Sequence, residues 1–467
     1  MLCERCLGGS AVDEDVRSRK FECQLSWSKA IEGLQGITDP AGGKDILFCP
    51  EFETKDTLKA IDAASTALQA FRHTTARERS HMLRRWHDLM LKNLEDLARI
   101  ITWENGKPLA DARTEVKYAA GFFEWFSEEA PRIYGDVIQS GTASSRVITI
   151  KEPIGVCALI APWNFPAAMI TRKVGPALAA GCTVVIKAPG EAPLSALALA
   201  ELAHRSGIPE GVVNIITALS NTVEVGKCLT SNQTVKKISF TGSTAVGRLL
   251  MEQSASTLKK LSFELGGNAP FIVFDDADLD LAVQGLMASK FRLSGQTCVC
   301  ANRILVQKGV HDSFVQKCID VIKTFKVGNG FDDGITHGPL VHQRAIDKVD
   351  AHVKDAVAKG AKMALGGERL PSLGSNFFAM TVLTGVDSTM QLVHEETFGP
   401  VAAFFSFETE EEAISLANDS EVGLAAYFYS KDVNRCWRVA EEITVGMIGI
   451  NTGKSCKVVL KRGINWS

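Results

Sequence analysis

The sequence predicts an α/β protein in which a doubly wound parallel sheet is followed by a second α/β region. Between residues 154 and 263, short runs rich in Val and Ile alternate with segments of helical periodicity, which is typical of buried parallel strands joined by helices. A second alternation of this kind begins near residue 264. Residues 55–130 carry apolar side chains three and four positions apart, which predicts helices before the sheet.

The composition excludes several classes of partner. The 467-residue chain is 46% hydrophobic and 22% charged with a formal net charge of −3, so it offers no strongly basic surface to nucleic acid or an anionic membrane. No run reaches the roughly 20 apolar residues of a membrane span, and the N-terminus lacks the apolar core of a secretory signal. Twelve scattered cysteines indicate a reduced, cytoplasmic protein. Cys3 and Cys6 have no second pair at zinc spacing, so no metal site is predicted.

The elements of the parallel sheet can be followed along the sequence. Strands are predicted at GVCALIAP, CTVVIKAP, GVVNIIT and KKISFTG, followed in turn by the helices AMITRKVGPALAAG, PLSALALAELAHRSG, NTVEVGKCLTS and STAVGRLLMEQSAS. The second region has the strands APFIVF, RILVQ and AAFFSF among helices such as VHDSFVQKCIDVIKTF. Before the sheet, RVITIKEPIGV alternates apolar and polar residues, which favours a strand or ribbon, and Trp86 is expected in the helical core. Parallel sheets of this kind bind ligands at the carboxyl ends of their strands.

One motif at such a strand end could bind phosphate. In FTGSTAVG, a predicted strand is followed by Gly242, Ser243 and Gly247, which open a helix. The N–H groups of a helix start favour a phosphate. A tight turn without a ligand explains the same glycines, so the motif alone leaves both interpretations open.

Three further motifs contain candidate catalytic residues, each with a structural alternative. In LSFELGG, Glu264 follows an apolar run, which predicts a partly desolvated carboxylate suited to general-base catalysis, or else a capping or ion-paired Glu. In APWNFP, Asn164 lies between prolines and could present its amide to an oxyanion, or simply form a turn. In TCVC, Cys298 and Cys300 are a candidate nucleophile and its neighbour, or two structural thiols.

Together and in this order, the motifs resemble one family. From about residue 55 to residue 451, the chain resembles the aldehyde dehydrogenase superfamily. The resemblance is carried by the motifs PWNFP, VIKAP, FTGSTAVG, FELGGNAP, GQTCVC and EETFGP. APWNFPAAMITRKVGPALAAGCTVVIKAP and FRLSGQTCVCANRILVQ resemble its succinate-semialdehyde dehydrogenase members, which act in the catabolism of γ-aminobutyrate. The resemblance implies the aldehyde dehydrogenase fold, with a Rossmann-like cofactor domain, a second α/β catalytic domain and a β-ribbon for oligomerisation.

The resemblance implies a covalent mechanism. Cys298 would attack the aldehyde carbon, while Asn164 and the N–H group of Cys298 would hold the oxyanion. Hydride transfer to NAD or NADP would leave a thioester, and Glu264 would activate the water that hydrolyses it.

The resemblance also implies a cofactor site and a substrate site. The residues expected to line the cofactor are Trp163, Lys187, Gly190, Glu191, Gly242, Ser243, Gly247, Leu265, Glu396 and Phe398. Gly190 occupies a position where NAD-using members often carry a Glu that binds the ribose hydroxyls, so NADP is expected at least to be tolerated. Arg172 and Arg292 would bind the distal carboxylate of the substrate, and Cys300 would be either a redox partner of Cys298 or a buried thiol.

The resemblance divides the chain into the N-terminal part of the cofactor domain, an oligomerisation ribbon, the NAD(P)-binding domain, the catalytic domain and a divergent tail. These correspond to residues 1–135 (with 1–35 atypical), 136–153, 154–263, 264–450 and 451–467. The tail lacks the family's substrate-loop serine and closing strand, and this favours a second hypothesis, a catalytically impaired binding or structural subunit. A third hypothesis is a thiol esterase. The family further implies a dimer or tetramer, and a mitochondrial location as the alternative to the cytoplasm.

Overall fold

The computed structural model describes residues 33–454 and the backbone of residues 459–460. Cys3, Cys6 and most of the atypical and divergent end segments lie outside the described residues. The described chain forms two compact units. The first contains residues 33–38, Asp45–Asn105 and Leu109–Glu264, and the second contains Asp39–Lys44, Gly106–Pro108 and residues 265–454.

The helical layer of the first unit is built from four amphipathic helices, as predicted for residues 55–130. They are α1 (Thr54–Phe71), α2 (Ala76–Lys92), α3 (Leu94–Asn105) and α4 (Leu109–Glu129). Helix α2 begins with a capping box, in which the N–H group of Thr75 donates to Glu78 at 2.7 Å and the hydroxyl of Thr75 accepts from the N–H group of Glu78. The prediction that Trp86 lies in the core is confirmed, because it is 1% exposed and stacks on Phe123.

A five-stranded sheet in the first unit confirms the predicted doubly wound arrangement. Its strands are β5 (Val156–Ile160), β6 (Thr183–Lys187), β7 (Val213–Ile216), β8 (Val235–Thr241) and β9 (Lys260–Glu264). They are joined by the helices α5 (Ala168–Ala179), α6 (Pro193–Arg205), α7 (Thr222–Ser231) and α8 (Thr244–Ser254). All pairs are parallel in the order β7-β6-β5-β8-β9. The chain reverses its direction of growth between β5 and β8, which is the switch point where such sheets bind ligands.

Two small antiparallel pairs accompany this sheet. The first joins β1 (Leu34–Thr38) to β2 (Asp45–Pro50), and the second is a ribbon of β3 (Val137–Gln139) and β4 (Arg146–Ile148). The ribbon exposes apolar side chains, with Val137 79% and Ile148 69% exposed.

The second unit is built on an eight-stranded sheet. Its strands are β10 (Ala269–Val273), β11 (Ala301–Gln307), β12 (Lys362–Leu365), β13 (Thr381–Thr384), β14 (Val401–Phe407), β15 (Ala425–Tyr429), β16 (Met447–Ile450) and β17 (Val459–Leu460). The order is β12-β13-β14-β11-β10-β15-β16-β17, antiparallel at both edges and parallel between them.

Helices and apolar cores cover both faces of this sheet. The helices are α9 (Leu279–Leu286), α10 (His311–Ile322), α11 (Gln343–Ala358), α12 (Gln391–His394), α13 (Glu410–Asn418) and α14 (Val433–Glu442). One core cluster contains Ile272 and Leu305, and the other contains Phe271 and Ile304, so adjacent residues of each central strand enter opposite cores. None of the helices in the described part of the chain is long and apolar enough to cross a membrane.

Candidate active site

In the first unit, Asn164 lies on the loop that follows β5, at the switch point of the sheet. Its side chain is 4% exposed, and its Oδ1 accepts the N–H group of Phe165 at 3.1 Å. The carbonyl of the half-buried Trp163 accepts a hydrogen bond from Nδ2 of Asn105 at 3.0 Å. Because the acceptor side of the Asn164 amide is engaged by the main chain, its donor side is oriented by the fold of the loop.

Helix α5, which begins directly after this loop, is capped from another helix. Oε1 of Glu115 on α4 accepts the N–H groups of Ala167 at 3.0 Å and Ala168 at 3.2 Å. Glu115 is fully buried. A carboxylate at this place satisfies helix-terminal donors that would otherwise have no intrahelical partner.

Lys187, the last residue of β6, is nearly buried. Desolvation lowers the pKa of Lys187 to about 8, although the charges of Glu191 and Glu51 oppose that shift. A Cβ atom at the neighbouring Gly190 would lie 2.6 Å from Cδ1 of Leu219, so this position has no room for a larger side chain unless Leu219 moves. The loop after β6 thus offers the buried amino group of Lys187 together with a stretch of main chain, at Gly190, that carries no side chain.

The helix that follows Lys187 is also capped by a distant carboxylate. Glu104, the penultimate residue of α3, accepts the N–H groups of Leu194 at 2.6 Å and Ser195 at 2.8 Å. Burial raises the pKa of Glu104 to about 8, and its hydrogen bonds with Ser195 and Leu194 act in the opposite direction. Glu104 and Glu115 were not among the predicted site residues, since neither belongs to a recognisable motif.

The predicted phosphate motif opens α8. Ser243 is the N-cap of this helix, with its exposed hydroxyl accepting from the N–H group of Val246 at 3.4 Å. A Cβ atom at Gly242 would lie 2.4 Å from the Phe240 ring, and Gly247 is buried inside the helix. The buried hydroxyl of Thr241 has no hydrogen-bond partner among the described residues. This helix start therefore presents main-chain donors of the kind that bind phosphate.

Glu264 is the last residue of β9, and its exposure differs from the one predicted from the sequence. The apolar run before Glu264 predicts a partly desolvated carboxylate. This prediction is wrong, because β9 is the edge strand of its sheet and Glu264 is exposed. A buried cation lies within electrostatic range of it. Lys173 is 7% exposed and donates to Oγ of Ser239 at 3.0 Å. Burial lowers the pKa of Lys173 to about 7, and the charge of Glu264 opposes this shift. Lys173 was not among the predicted site residues, although a lysine on the apolar face of α5 is a signal that could have indicated it.

Arg172 is held by aromatic side chains of α4. Its Nη2 donates to Oη of Tyr118 at 2.8 Å, and its guanidinium carbon lies 5.0 Å from the ring centroid of Phe122. No carboxylate in the described part of this unit forms an ion pair with Arg172. Because the groups that hold this guanidinium are neutral, its positive charge can attract an anionic ligand.

A cavity of about 460 Å³ also lies in the first unit, at the amino ends of β5 and β8. Arg72, Gly155 and Lys236 are among its lining residues. None of the candidate residues lines it, so this cavity carries no part of the predicted chemistry.

In the second unit, the loop that carries Cys298 has an unusual backbone. A π-helical turn at Met287–Phe291 ends at the exposed Arg292. Three successive residues then have left-handed backbones: Leu293 at φ 53°, Ser294 at φ 52° and Gly295 at φ 81°. Two non-glycine residues in this region store strain, which other contacts must offset.

Side-chain hydrogen bonds supply part of that support. Ser294 donates to the carbonyl of Gly338 at 2.7 Å. Gln296 is buried and accepts the N–H group of Val341 at 3.0 Å, while its Nε2 donates to the carbonyl of Leu293. The half-buried Cys298 thus follows a backbone that is tied down on both sides.

Two glycines let other motifs approach this loop. A Cβ atom at Gly267, in FELGGNAP, would lie 2.4 Å from the carbonyl oxygen of Cys298. A Cβ atom at Gly295 would lie 2.1 Å from the carbonyl oxygen of Gly399, in EETFGP. Both positions require glycine for close backbone packing. The motifs themselves gave no sign of this role for the two glycines.

Cys300 differs from Cys298 in its surroundings. It is 1% exposed, and its thiol lies 3.2 Å from the carbonyl of Gly295, 3.4 Å from that of Lys290 and 2.9 Å from Oγ1 of Thr297. Both Cys298 and Cys300 are free thiols.

The EETFGP loop brings Glu396 beside the same region. Burial raises the pKa of Glu396 to about 7, opposed by a hydrogen bond from the N–H group of Gly267 at 3.3 Å. Phe398 is half-buried with a left-handed backbone at φ 53°, and Leu265 is half-buried at the start of the unit. Within the described residues, no three His, Cys, Asp or Glu side chains come together as a metal site would require.

Comparison with known proteins identifies the family. A sequence model of the aldehyde dehydrogenase family matches residues 27–463. The chain belongs to the aldehyde dehydrogenase family. The resemblance stated from six short motifs is therefore confirmed, as is the aldehyde dehydrogenase fold with its parallel sheets.

Curated relatives within this family are more than half identical to the chain. A glutarate-semialdehyde dehydrogenase of Pseudomonas putida is 56% identical over 417 residues, which is 89% of this chain and 86% of the relative. The NADP-dependent succinate-semialdehyde dehydrogenase of Escherichia coli is 54% identical over 89% of this chain and 86% of its own. The human mitochondrial succinate-semialdehyde dehydrogenase is 53% identical over 89% and 78%.

Solved structures of the family have the same fold. The crystal structure of an NADP-dependent E. coli enzyme has a TM-score of 0.89 and 54% identity, covering 90% of this chain and 87% of that one. A succinate-semialdehyde dehydrogenase from Burkholderia pseudomallei gives the same values. A betaine aldehyde dehydrogenase from Staphylococcus aureus in complex with NAD+ has a TM-score of 0.87 at 36% identity, covering 90% of this chain and 84% of its own.

Proposed function

We propose that this aldehyde dehydrogenase oxidises a semialdehyde, succinate or glutarate semialdehyde, to the dicarboxylic acid with NADP or NAD. The observation that carries the choice of substrate is Arg172, a guanidinium braced by Tyr118 and Phe122 with no acidic partner in the described part of its unit. Relatives above 50% identity are named for these two substrates.

The proposed chemistry is covalent catalysis on Cys298. The thiol of Cys298 adds to the aldehyde carbon and loses its proton, which gives a thiohemiacetal. Asn164 and the main-chain N–H group of Cys298 stabilise the negative oxygen of this adduct. Glu264 removes a proton from the water that hydrolyses the thioester, which releases the carboxylic acid and regenerates the thiol. Because Glu264 is exposed, that water can reach its carboxylate.

The residues of the first unit fit a nicotinamide dinucleotide. Lys187 offers a donor to ribose hydroxyls, the α8 start with Gly242 and Ser243 offers main-chain donors to the pyrophosphate, and Gly247 keeps the helix close to the sheet. The remaining residues proposed to hold the cofactor are Trp163, Glu191, Leu265, Glu396 and Phe398. A bound nicotinamide would supply the acceptor for the hydride whose loss from the thiohemiacetal on Cys298 gives a thioester.

We propose that the enzyme at least tolerates NADP as a cofactor. The contact between Gly190 and Leu219 leaves no room for a carboxylate at position 190, so nothing at that position repels a 2′-phosphate. The measurement is kcat/KM for both cofactors with the same aldehyde. Efficient reduction of NAD without reduction of NADP would contradict the proposal.

The central experiment compares charged and uncharged aldehydes. We expect NADPH formation from succinate and glutarate semialdehydes with a KM well below that for butanal. Arg172→Met and Arg292→Ala should each raise KM for the semialdehydes about tenfold or more while leaving kcat/KM for butanal nearly unchanged, because each removes a charge-assisted hydrogen bond to the distal carboxylate. Arg132→Ala, an exposed arginine that forms an ion pair with Glu129, is the matched control.

The same assay tests the competing hypotheses. A folded protein without turnover of any aldehyde would favour a binding or structural subunit. Hydrolysis of an aryl ester without NAD(P)H formation would favour a thiol esterase. The intact set of Cys298, Glu264, Asn164 and Lys187 supports the dehydrogenase.

Cys300 has two candidate roles that peroxide can distinguish. A disulfide with Cys298 would inactivate the enzyme reversibly, but it would break the contacts of the buried Cys300 thiol with two carbonyl groups. Those contacts favour a structural thiol. If Cys300→Ala and the parent lose activity to peroxide alike, and reductant rescues both, the redox-partner role is excluded.

We propose further that the enzyme is a homo-oligomer assembled through the β3–β4 ribbon. The support is the apolar exposure of Val137, Ile138 and Ile148. Size-exclusion chromatography of the parent and of Ile148→Lys tests this. A monomeric parent would contradict it.

A further inference from the structure

Two buried polar side chains hold the ends of the segment that carries Asn164. At its start, Nδ2 of Asn105 donates to the carbonyl of Trp163 at 3.0 Å. At its end, Oε1 of Glu115 accepts the N–H groups of Ala167 and Ala168 at 3.0 and 3.2 Å. The six residues 163–168 are therefore fixed at both ends from the α3–α4 segment of the same unit.

The Glu115 contact replaces a cap that the local sequence cannot supply. Ala167 occupies the N-cap position of α5 and has no side-chain acceptor. A carboxylate from α4 takes the two main-chain donors instead, at a site where Glu115 is fully buried. The position of the α5 start, and of the loop before it, then depends on a residue 52 positions away in sequence.

The Asn105 contact is retained at a cost in stability. Asn105 is fully buried, and its Oδ1 has no hydrogen-bond partner among the described residues. A buried unsatisfied acceptor costs roughly 1–3 kcal/mol. An apolar side chain of the same size would remove that cost but would also remove the donor to the Trp163 carbonyl, so the two effects on fold stability offset each other and the contact with Trp163 is what the amide supplies.

We infer that Asn105 and Glu115 are positioning residues for the oxyanion donor Asn164. The Asn164 amide accepts from the main chain of its own segment through Phe165, so its donor direction follows the backbone that the two distant residues hold. A displacement of about 1 Å of a catalytic group is enough to cost on the order of 100-fold in rate. The inference rests on the proposed role of Asn164.

The test is a double-mutant cycle between each positioning residue and Asn164. Asn105→Leu should lower kcat about tenfold with KM for aldehyde and cofactor changed less than about twofold, and with a Tm near that of the parent. Asn164→Ala should lower kcat about 100-fold. In the Asn164→Ala background, Asn105→Leu should change kcat by less than about twofold, because it acts only through the lost amide.

Glu115 provides a second, independent cycle. Glu115→Ala should lower kcat in the parent background but not in Asn164→Ala, and Glu115→Gln should recover most of the rate because an amide oxygen can accept the same two N–H groups. Thr114→Ala, an exposed neighbour on α4, is the control and should match the parent.

Two results would overturn the inference, and they differ from failure of the proposed function. Unchanged kcat in Asn105→Leu and Glu115→Ala would show that the loop does not need these two side chains. Equal fold losses in the parent and Asn164→Ala backgrounds would show a general structural effect. If Asn164→Ala itself kept the parent rate, the proposed oxyanion role would fail, and this single variant identifies that case.

Discussion

The two units fix their candidate catalytic residues by different physical means. In the first unit, the loops with Asn164 and Lys187 each run into a helix whose first N–H groups are held by a buried carboxylate from elsewhere, Glu115 and Glu104. In the second unit, the loop with Cys298 is held by close backbone packing at Gly267 and by left-handed residues tied to neighbouring carbonyls.

This difference predicts different tolerance to substitution. A capping carboxylate can be exchanged for an amide with partial retention of its hydrogen bonds, because only an acceptor is required. A glycine that admits a backbone carbonyl cannot be exchanged at all, since every other residue adds a Cβ atom. In the first unit, capping side chains position the loops. In the second unit, glycines position the loop because they allow its main chain to pack closely.

The largest effect is expected at Gly267. In Gly267→Ala, the added Cβ would lie 2.4 Å from the carbonyl oxygen of Cys298, so the loop must shift. We expect kcat to fall about 100-fold. Steady-state kinetics and the rate of Cys298 alkylation by iodoacetamide measure it. If Gly267→Ala had the kinetics of the parent, close packing at this glycine would not position the Cys298 loop, and the proposed difference between the units would be contradicted.

Gly121 is the matched control for Gly267. It lies inside α4, where a Cβ atom would meet nothing within 4 Å. Gly121→Ala should stabilise the helix by about 0.5–1 kcal/mol, because alanine loses less backbone entropy on folding.

The next effect is expected at Glu104. Glu104→Ala would leave the buried N–H groups of Leu194 and Ser195 without their acceptor, so we expect unfolding free energy to fall by about 2 kcal/mol, or Tm by about 4–6 °C. KM for NADP should rise, since α6 follows the Lys187 loop, and Glu104→Gln should lose about half as much stability. If Glu104→Gln were as unstable as Glu104→Ala, an amide could not replace the capping carboxylate, and the proposed difference between the units would be contradicted.

A smaller effect is expected at Tyr118. Tyr118→Phe removes the hydroxyl that accepts from Nη2 of Arg172 but keeps the ring, so the guanidinium gains freedom without losing its packing. KM for succinate semialdehyde should rise about three- to tenfold, which corresponds roughly to the net energy of one ordinary hydrogen bond. Tyr134→Phe, on an exposed tyrosine, is the control. Equal changes for butanal and the semialdehyde would argue against a role in carboxylate binding.

The smallest effect is a pH dependence at Lys173. Its folded pKa is lowered to about 7 from 10.5, so between these values the unfolded chain binds a proton that the folded chain does not. The free energy of unfolding must therefore rise with pH between about pH 7 and 10.5. The destabilisation caused by burying Lys173 is largest below about pH 7. Relative to Lys173→Met, the parent should gain about 1 kcal/mol per pH unit between pH 8 and 9, seen as a Tm difference of about 2 °C. Parallel Tm profiles would exclude a depressed pKa.

Much of the fold was predictable because it depends on local patterns. The runs around Val185 and Ile304 are continuous and apolar because their strands are buried on both faces, and the helices between them have the expected periodicity. Asn164 and Cys298 could be selected because each lies in a short motif close to a predicted strand, after GVCALIAP for Asn164 and before RILVQ for Cys298.

The contacts that hold the site could not be predicted. Glu104 and Ser195 are 91 residues apart, and no periodicity links them. Nothing in WENGKP distinguishes Glu104, which is fully buried, from an exposed glutamate. The error at Glu264 has a similar cause, because the run before it is apolar but the order of strands, which leaves β9 at an edge, is a property of the whole sheet.

The glycine packing in the second unit has a consequence for inherited variation. At most codons of a protein some missense changes are harmless, because a similar amino acid results. At the codons of Gly267 and Gly295, no missense change avoids a Cβ atom within 2.5 Å of a carbonyl oxygen. We therefore expect alleles altered at either codon to behave alike whichever residue they encode, in contrast to alleles altered at Gly121.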